Sequence, residues 1–281
     1  MARANFEANF AALPVDQIHK VEDFVATAPG VDIPLRMYRP SDAQALAVIV
    51  YFHGGGWQMG SIDSHDGICR SLANATGSAV ISVGYRRPPE SRFPTAPHDC
   101  FAALTWIVGH ACELGVDARR LALAGDSAGG NLAAAVAILA RNGEGPVISC
   151  QALIYPATTF DLDVGFDMDF EGVVLMRDEV LWHRGAYFED EADAASPLAS
   201  PLGSDLDNLP STLVITAEYD PLHRQGELFH EALVAAGVDS TLRPFAGMIH
   251  GFAQFPMLFD EADAAIAEIG EFISKHTGAV A

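Results

Sequence analysis

A short apolar run, a glycine-bracketed serine and a helix-forming run follow one another without a gap between residues 121 and 140. They read LALA, then Gly125-Asp126-Ser127-Ala128-Gly129, then GNLAAAVAILA. Few backbone geometries fit that order. A strand has to turn into a helix within a few residues, and a turn that tight strains the serine. Glycine therefore flanks it where a Cβ would clash. Ser127 then stands at a helix N-terminus, where backbone N–H groups and the helix dipole favour a developing negative charge. A G-x-S-x-G pentapeptide arises by chance in many proteins, but in a strand–turn–helix setting it marks an elbow that presents a candidate nucleophile.

The rest of the chain alternates in the same way. Strands are predicted at 33–38, 46–52, 79–83, 121–124, 149–154, 212–216 and 240–245, and helices at 64–76, 95–114, 128–142, 222–236 and 258–275. LAVIVYF and LVIT are near-continuous apolar runs, as expected of parallel strands covered on both faces. The fold class read from this is α/β, a mostly parallel central sheet flanked by helices. Residues 31–156 and 208–281 form the main domain in this reading. Residues 1–30 precede the sheet and 157–207 interrupt the alternation; both are assigned to a cap, since so long an insertion is usually functional.

Composition narrows the partners. Lys and Arg total 16 against 37 Asp and Glu, a net charge of −21 over 281 residues. Such a chain repels nucleic acid and anionic membrane surfaces, so neither is expected as a partner. Cys69, Cys100, Cys112 and Cys150 are widely spaced and form no C-x-x-C pair, which fits reduced thiols rather than disulfides or a zinc site. No apolar run is long enough to span a membrane, and the first residues lack a signal peptide's apolar core, so a cytoplasmic location is expected. No HExxH motif is present, and neither a metal nor a cofactor is expected.

A serine nucleophile needs a base, an orienting acid and donors for the oxyanion. His53-Gly54-Gly55-Gly56-Trp57 follows the strand LAVIVYF. Its three glycines let backbone N–H groups approach a ligand, and an HGGG-type loop is the usual second half of an oxyanion hole beside such an elbow. His53 itself is read as a structural hydrogen bonder. Asp220 follows the strand LVIT and His250 follows the strand ending at Phe245, both at the carboxyl edge where α/β sheets place their sites. Glu218 is the rival acid. His183 and the other helical histidines are read as solvated or capping residues, while His65 and His98 lie near elements that flank the pocket. Trp57, Phe93, Met248 and Phe252, with Phe160, Phe166, Phe170, Leu175 and Met176 of the insertion, are candidate pocket residues. The acidic run Asp161, Asp163, Asp167, Asp169 and Glu171 is read as a solvated face.

With these residues, the chain resembles the bacterial hormone-sensitive-lipase-like esterases, family IV of the bacterial lipolytic enzymes. The matching segments are HGGGW at 53–57, YRRPPESRFPTAPHD at 85–99, GDSAGGNLA at 125–133, EYDPL at 218–222 and GMIHGF at 247–252, in the family's order. The resemblance implies an α/β-hydrolase fold with a small helical cap and a Ser127–Asp220–His250 triad. It also implies an oxyanion hole from the amides of Gly55, Gly56 and Ala128, and a serine carboxylesterase acting on short- to medium-chain acyl esters without a cofactor. The chain departs from the family at Arg87-Pro88, where Leu-Ala is common, and at His223-Arg224-Gln225, where Arg-Asp-Glu is usual. Fewer residues precede His53 than in many relatives, so a reduced N-terminal cap is expected. The triad is equally compatible with amide, formamide, lactone or carbamate hydrolysis, whereas a non-catalytic receptor or a peptidase on this scaffold fits the sequence less well. A homodimer through the last strand is compatible with the pattern.

Overall fold

The computed structural model describes residues 2–143, 145–166 and 175–278. Among them, eight strands form one sheet: β1 Lys20–Ala28, β2 Val31–Arg39, β3 Leu46–Phe52, β4 Ala79–Val83, β5 Val116–Asp126, β6 Cys150–Ile154, β7 Ser211–Tyr219 and β8 Ser240–Ile249. Their order across the sheet is β1-β2-β4-β3-β5-β6-β7-β8. The hairpin β1–β2 and the β2–β4 pair are antiparallel, and every pair from β4 to β8 is parallel.

All seven residues of β3 are buried, because helices cover both of its faces. Alternate side chains feed two cores. Val48, Val50 and Phe52 join Leu121, Leu123 and Leu153 on one face, against α3 Thr95–Gly109, α5 Ala128–Asn142 and α7 His223–Ala235. Ile49 and Tyr51 join Ala122, Ala124 and Ile215 on the other, against α2 Asp66–Thr76 and α8 Asp260–Thr277. The helix expected over 95–114 divides at His110 into α3 and a short α4, Ala111–Leu114.

One expectation needs correcting. Residues 1–30 are not all outside the sheet: β1 pairs along its whole length with β2, from Lys20–Arg39 to Ala28–Val31. Among β1's nine residues only Ala26 is buried, so an edge strand covered mainly on one side shows no continuous apolar run. What precedes it is α1, Ala2–Ala11. The insertion 157–207 carries α6, Arg177–Tyr187, and short 3-10 turns at Glu191–Ala195 and Pro201–Gly203. Both of its ends are tied to α5, where Asn131 Nδ2 donates to Ala157 O at 2.9 Å and Ala199 O at 2.8 Å. Residues 167–174, with Phe170 and the acidic Asp167, Asp169 and Glu171, lie outside the described residues.

Candidate active site

Ser127 takes φ 54° and ψ −117°, a conformation that L side chains rarely adopt, between the end of β5 and the start of α5. Strain of this kind costs about 1–3 kcal/mol and persists only where the surroundings enforce it. Here they do. A Cβ on Gly125 would strike the Gly129 carbonyl, and one on Gly129 would strike the Phe52 carbonyl. The Ser127 amide donates to Ile154 O at 2.8 Å, which fixes the turn to β6.

The side chains of residues 127, 220 and 250 meet, although they are far apart in the chain. His250 Nε2 lies 2.9 Å from Ser127 Oγ, and His250 Nδ1 lies 2.7 Å from Asp220 Oδ2. Asp220 is fully buried, and its other oxygen accepts the Leu222 amide at 2.8 Å. Burial disfavours a charged His250 ring, but the Asp220 carboxylate outweighs it and raises the imidazole above its ordinary 6.5. The rival acid has a different task. Glu218 is exposed and accepts the Gly247 amide at 2.7 Å, bracing the loop that carries His250.

The candidate oxyanion donors flank the serine. Gly55 and Gly56 line the same cavity as Ser127, and among the described residues their amides donate to no backbone or side-chain acceptor. The Ala128 amide opens α5, where an α-helix supplies no acceptor of its own. Asp126, the second residue of the pentapeptide and one left without a role in the sequence, holds these two segments together. Its Oδ1 accepts from Tyr51 OH at 2.7 Å and the Gly54 amide at 2.9 Å, and its Oδ2 accepts from Gln254 Nε2 at 2.8 Å. His65 Nε2 stands 3.3 Å from Oδ1. Burial pushes the Asp126 carboxyl up, but His65 and the Tyr51 hydroxyl hold it down at about 2. Gly54 has to be glycine, since a Cβ there would meet the Asp126 carboxylate. His53 is structural, as expected: it stacks on Tyr85 at 4.2 Å, and burial lowers its ring to about 3.

Asp126→Ala strips these donors of their acceptor inside the core. An expected loss of about 3–5 kcal/mol follows, or about 10 °C in Tm for a domain this size. Because the Gly54 tether precedes the Gly55 and Gly56 amides, kcat is also expected to fall about 10²-fold in the folded protein. Thermal unfolding alongside steady-state kinetics checks both; a variant with wild-type Tm and kcat would remove Asp126 from this role.

The cavity over Ser127 has a volume of about 350 Å³. Of the sequence-predicted pocket residues, Trp57, Phe160 and Leu175 line it. Phe93, Met248 and Phe252 do not, which corrects their assignment as substrate contacts. Phe93 packs edge-on against Tyr187 and Phe188 behind the wall, while Met248 and Phe252 belong to the core on the opposite face of the sheet. Phe166 is buried outside the lining and Met176 is exposed. His183 was misread: it is 8% exposed, lines the cavity and lies against Gly56, where a Cβ would strike its ring. Phe6 and Phe10 of α1, Phe255, Val180 and Leu222 complete most of the apolar wall. Phe6 and Phe10 stand four apart on one helix face and stack at 4.3 Å, a spacing legible in the sequence. α1 is held down by Glu7 to Arg87 at 2.5 Å and Arg3 to Glu90 at 3.0 Å. Arg87 is one of the departures from the family pattern.

Among the described residues, no group of three or more His, Cys, Asp or Glu is placed to hold a metal ion. No described helix is long and apolar enough to cross a membrane.

A mostly parallel sheet carrying a strained serine at a strand-to-helix elbow defines the class, an α/β hydrolase. A family model for the α/β-hydrolase fold matches residues 49–254. The chain belongs to that family, in its hormone-sensitive-lipase-like group. It is 37% identical to an arylesterase of Saccharolobus solfataricus over 279 residues, covering 94% of this chain and 87% of the relative. An ethyl acetate hydrolase of Pseudomonas putida is 38% identical over 284 residues, with 98% and 89% covered. Among solved structures, the hyperthermophilic esterase of Pyrobaculum calidifontis superposes with TM-score 0.92 at 42% identity, covering 98% of this chain and 92% of that one.

Proposed function

We propose that this protein is a serine carboxylesterase that hydrolyses short- to medium-chain acyl esters through an acyl-enzyme, with Ser127, His250 and Asp220 as its triad. One observation carries the assignment of roles: His250 bridges Ser127 at 2.9 Å and Asp220 at 2.7 Å through its two ring nitrogens. His250 takes the Ser127 proton as Oγ attacks the ester carbonyl, and Asp220 holds the Nδ1–H tautomer and stabilises the imidazolium. The Gly55, Gly56 and Ala128 amides hold the tetrahedral oxyanion, each such donor supplying about 3 kcal/mol. His250 then gives its proton to the leaving alcohol, and water repeats the sequence on the acyl-enzyme.

Ester hydrolysis, rather than amide, formamide, lactone or carbamate cleavage, is supported by the names of the relatives. The apolar wall of the cavity supports an acyl chain of modest length. In this reading α1 and the insertion 157–207 act as the cap, which Phe6, Phe10, Leu175 and Val180 support by lining the cavity. The free cysteines support a reducing, cytoplasmic location, and the open edge of β8 supports a homodimer joined edge to edge. Hydrolysis rates across a series of acyl chain lengths, with Ser127→Ala as the blank, test the substrate class. The expected profile peaks at short or medium chains. A peak at long-chain triglyceride, or faster cleavage of the matching amides, would overturn it.

A further inference from the structure

Beside the cavity that holds Ser127 lies a smaller one of about 50 Å³, between α1, α2 and the start of α8. Its volume suits about three groups the size of a water or a methylene. Leu13, Val15, Ile68, Pro256 and Ile266 supply apolar wall. Two carboxylates of its lining are already engaged, Asp16 by the Ser71 hydroxyl at 2.8 Å and Asp63 by Arg36 Nη1 at 2.7 Å. Among the described residues, Phe10 and Gln254 alone line both cavities, so these two side chains form the partition between them. Gln254 is pinned, since its Nε2 donates to Asp126 Oδ2 at 2.8 Å. Phe10 has no polar group, and packing alone holds its ring, against Phe6 with centroids 4.3 Å apart and against Phe255 at 5.3 Å.

The partition stands on the leaving-group side of the catalytic cavity. His250 gives its proton to the alcohol oxygen, so the alcohol part of a bound ester starts from the flank of His250. Gly251, Gln254 and Phe255 follow His250 in the chain and line that flank, and Phe10 packs on the last of them. An alcohol chain that grows along this wall meets the Phe10 ring, with the smaller cavity directly behind it.

We propose that Phe10 sets the longest alcohol group that the enzyme accepts, by closing the smaller cavity off from the leaving-group side of the catalytic one. The proposal rests on the carboxylesterase reading and adds to it the residue that selects the alcohol. A chain that has reached Phe10 finds no further apolar surface to bury. With the ring gone, each methylene that enters the space beyond raises kcat/KM by about fourfold, because burial that holds substrate and transition state alike appears in that constant.

The test measures kcat/KM for ethyl, butyl, hexyl and octyl butyrate, and for ethyl hexanoate and ethyl octanoate as the acyl series. The full-length wild type is compared with Phe10→Ala and with Phe10→Ala/Gly67→Leu. Straight-chain primary alcohols leave with closely similar ease, so the alcohol series reports binding. Gly67 of α2 lines the smaller cavity, and a Cβ there meets only Val15 Cγ1 at 3.6 Å, so leucine at 67 fills that space from beyond the partition. In the wild type, kcat/KM is expected to level off before octyl. Phe10→Ala is expected to raise the octyl-to-butyl ratio by about tenfold, the gain from about two more buried methylenes, and to leave the acyl series within about twofold. The second substitution is expected to bring the octyl ratio back towards wild type, which a merely loosened α1 would not do. Phe10→Leu is expected to shift the ratio the same way by less, and it serves if Phe10→Ala does not fold. Three results would each overturn the proposal and leave the esterase reading standing: an unchanged octyl ratio in the folded variants, a shift as large in the acyl series, or a shift that Gly67→Leu does not reverse. Failure of the wild-type protein to hydrolyse any of these esters would overturn both.

Discussion

Ser127→Ala is expected to lower kcat on a butyrate ester by about 10⁵–10⁶-fold, His250→Ala to cost nearly as much, and the double variant to be no slower than either. The non-additivity follows from the geometry. Ser127 Oγ is nucleophilic only while a ring nitrogen 2.9 Å away takes its proton, and that nitrogen has no other work at this site. Once either partner is gone, the remaining group supports no acyl-enzyme. What persists is positioning and the Gly55, Gly56 and Ala128 amides, which still leave catalysis above the rate in water. The small side chain of alanine fits the elbow, so Ser127→Ala is expected to fold and to relieve none of the Gly125 and Gly129 crowding. Steady-state kinetics with the blank subtracted, together with covalent labelling by an organophosphate, check this. Labelling is expected on Ser127 in the wild type and on no residue in Ser127→Ala. Losses that multiply in the double variant, or a His250→Ala variant within tenfold of wild type, would separate the two residues and end the triad.

How much of this was legible in the sequence varies with the kind of signal. Strands β3 and β4 have the bounds expected from their apolar runs, because a strand buried on both faces has to be apolar at every position. β1 escaped notice because an edge strand is specified largely by its partner's backbone, and backbone pairing leaves little trace in KVEDFVATA. Ser127, Asp220 and His250 were readable because the elbow, the strand ends and the chain order mark them. The cavity wall was not. Met248 and Phe252 sit next to His250 in the chain, yet a side chain two residues along leaves on another side of the loop and enters the opposite core. His183, by contrast, is separated from Gly56 by nearly half of the chain, and only the path of the insertion brings its ring there. Asp126 was in plain view inside the motif. Its function depends on Tyr51 and Gly54 arriving from one distant segment and Gln254 from another, which no local pattern announces.

Asp220→Asn is expected to reduce kcat by about 10⁴-fold while keeping the fold, and to move the acid limb of the pH profile downward. The size follows from hydrogen-bond polarity. Asp220 Oδ1 accepts the Leu222 amide at 2.8 Å, so an asparagine here keeps its carbonyl oxygen on that side and turns its NH₂ toward His250 Nδ1. Facing a donor, Nδ1 becomes the acceptor and the ring proton moves to Nε2, the nitrogen that has to receive the Ser127 proton. The reverse orientation sets the NH₂ against the Leu222 N–H, two donors in a fully buried space. Either way the base is spoiled. The pH effect has a definite sign. His250 works as a base only when neutral, so activity is lost as pH falls through its pKa. In the wild type the Asp220 charge raises that pKa above 6.5 against the opposing effect of burial, which places the limb above the ordinary imidazole value. Without the carboxylate, burial acts unopposed by its main counterweight and the residual activity extends to lower pH. Profiles of kcat/KM for both proteins across the acid range measure the shift. Glu218→Gln is the contrast: its oxygen still accepts the exposed Gly247 amide, so its profile is expected to overlay the wild type. If the Glu218 variant moves the limb and the Asp220 variant does not, the orienting acid is the wrong one of the two.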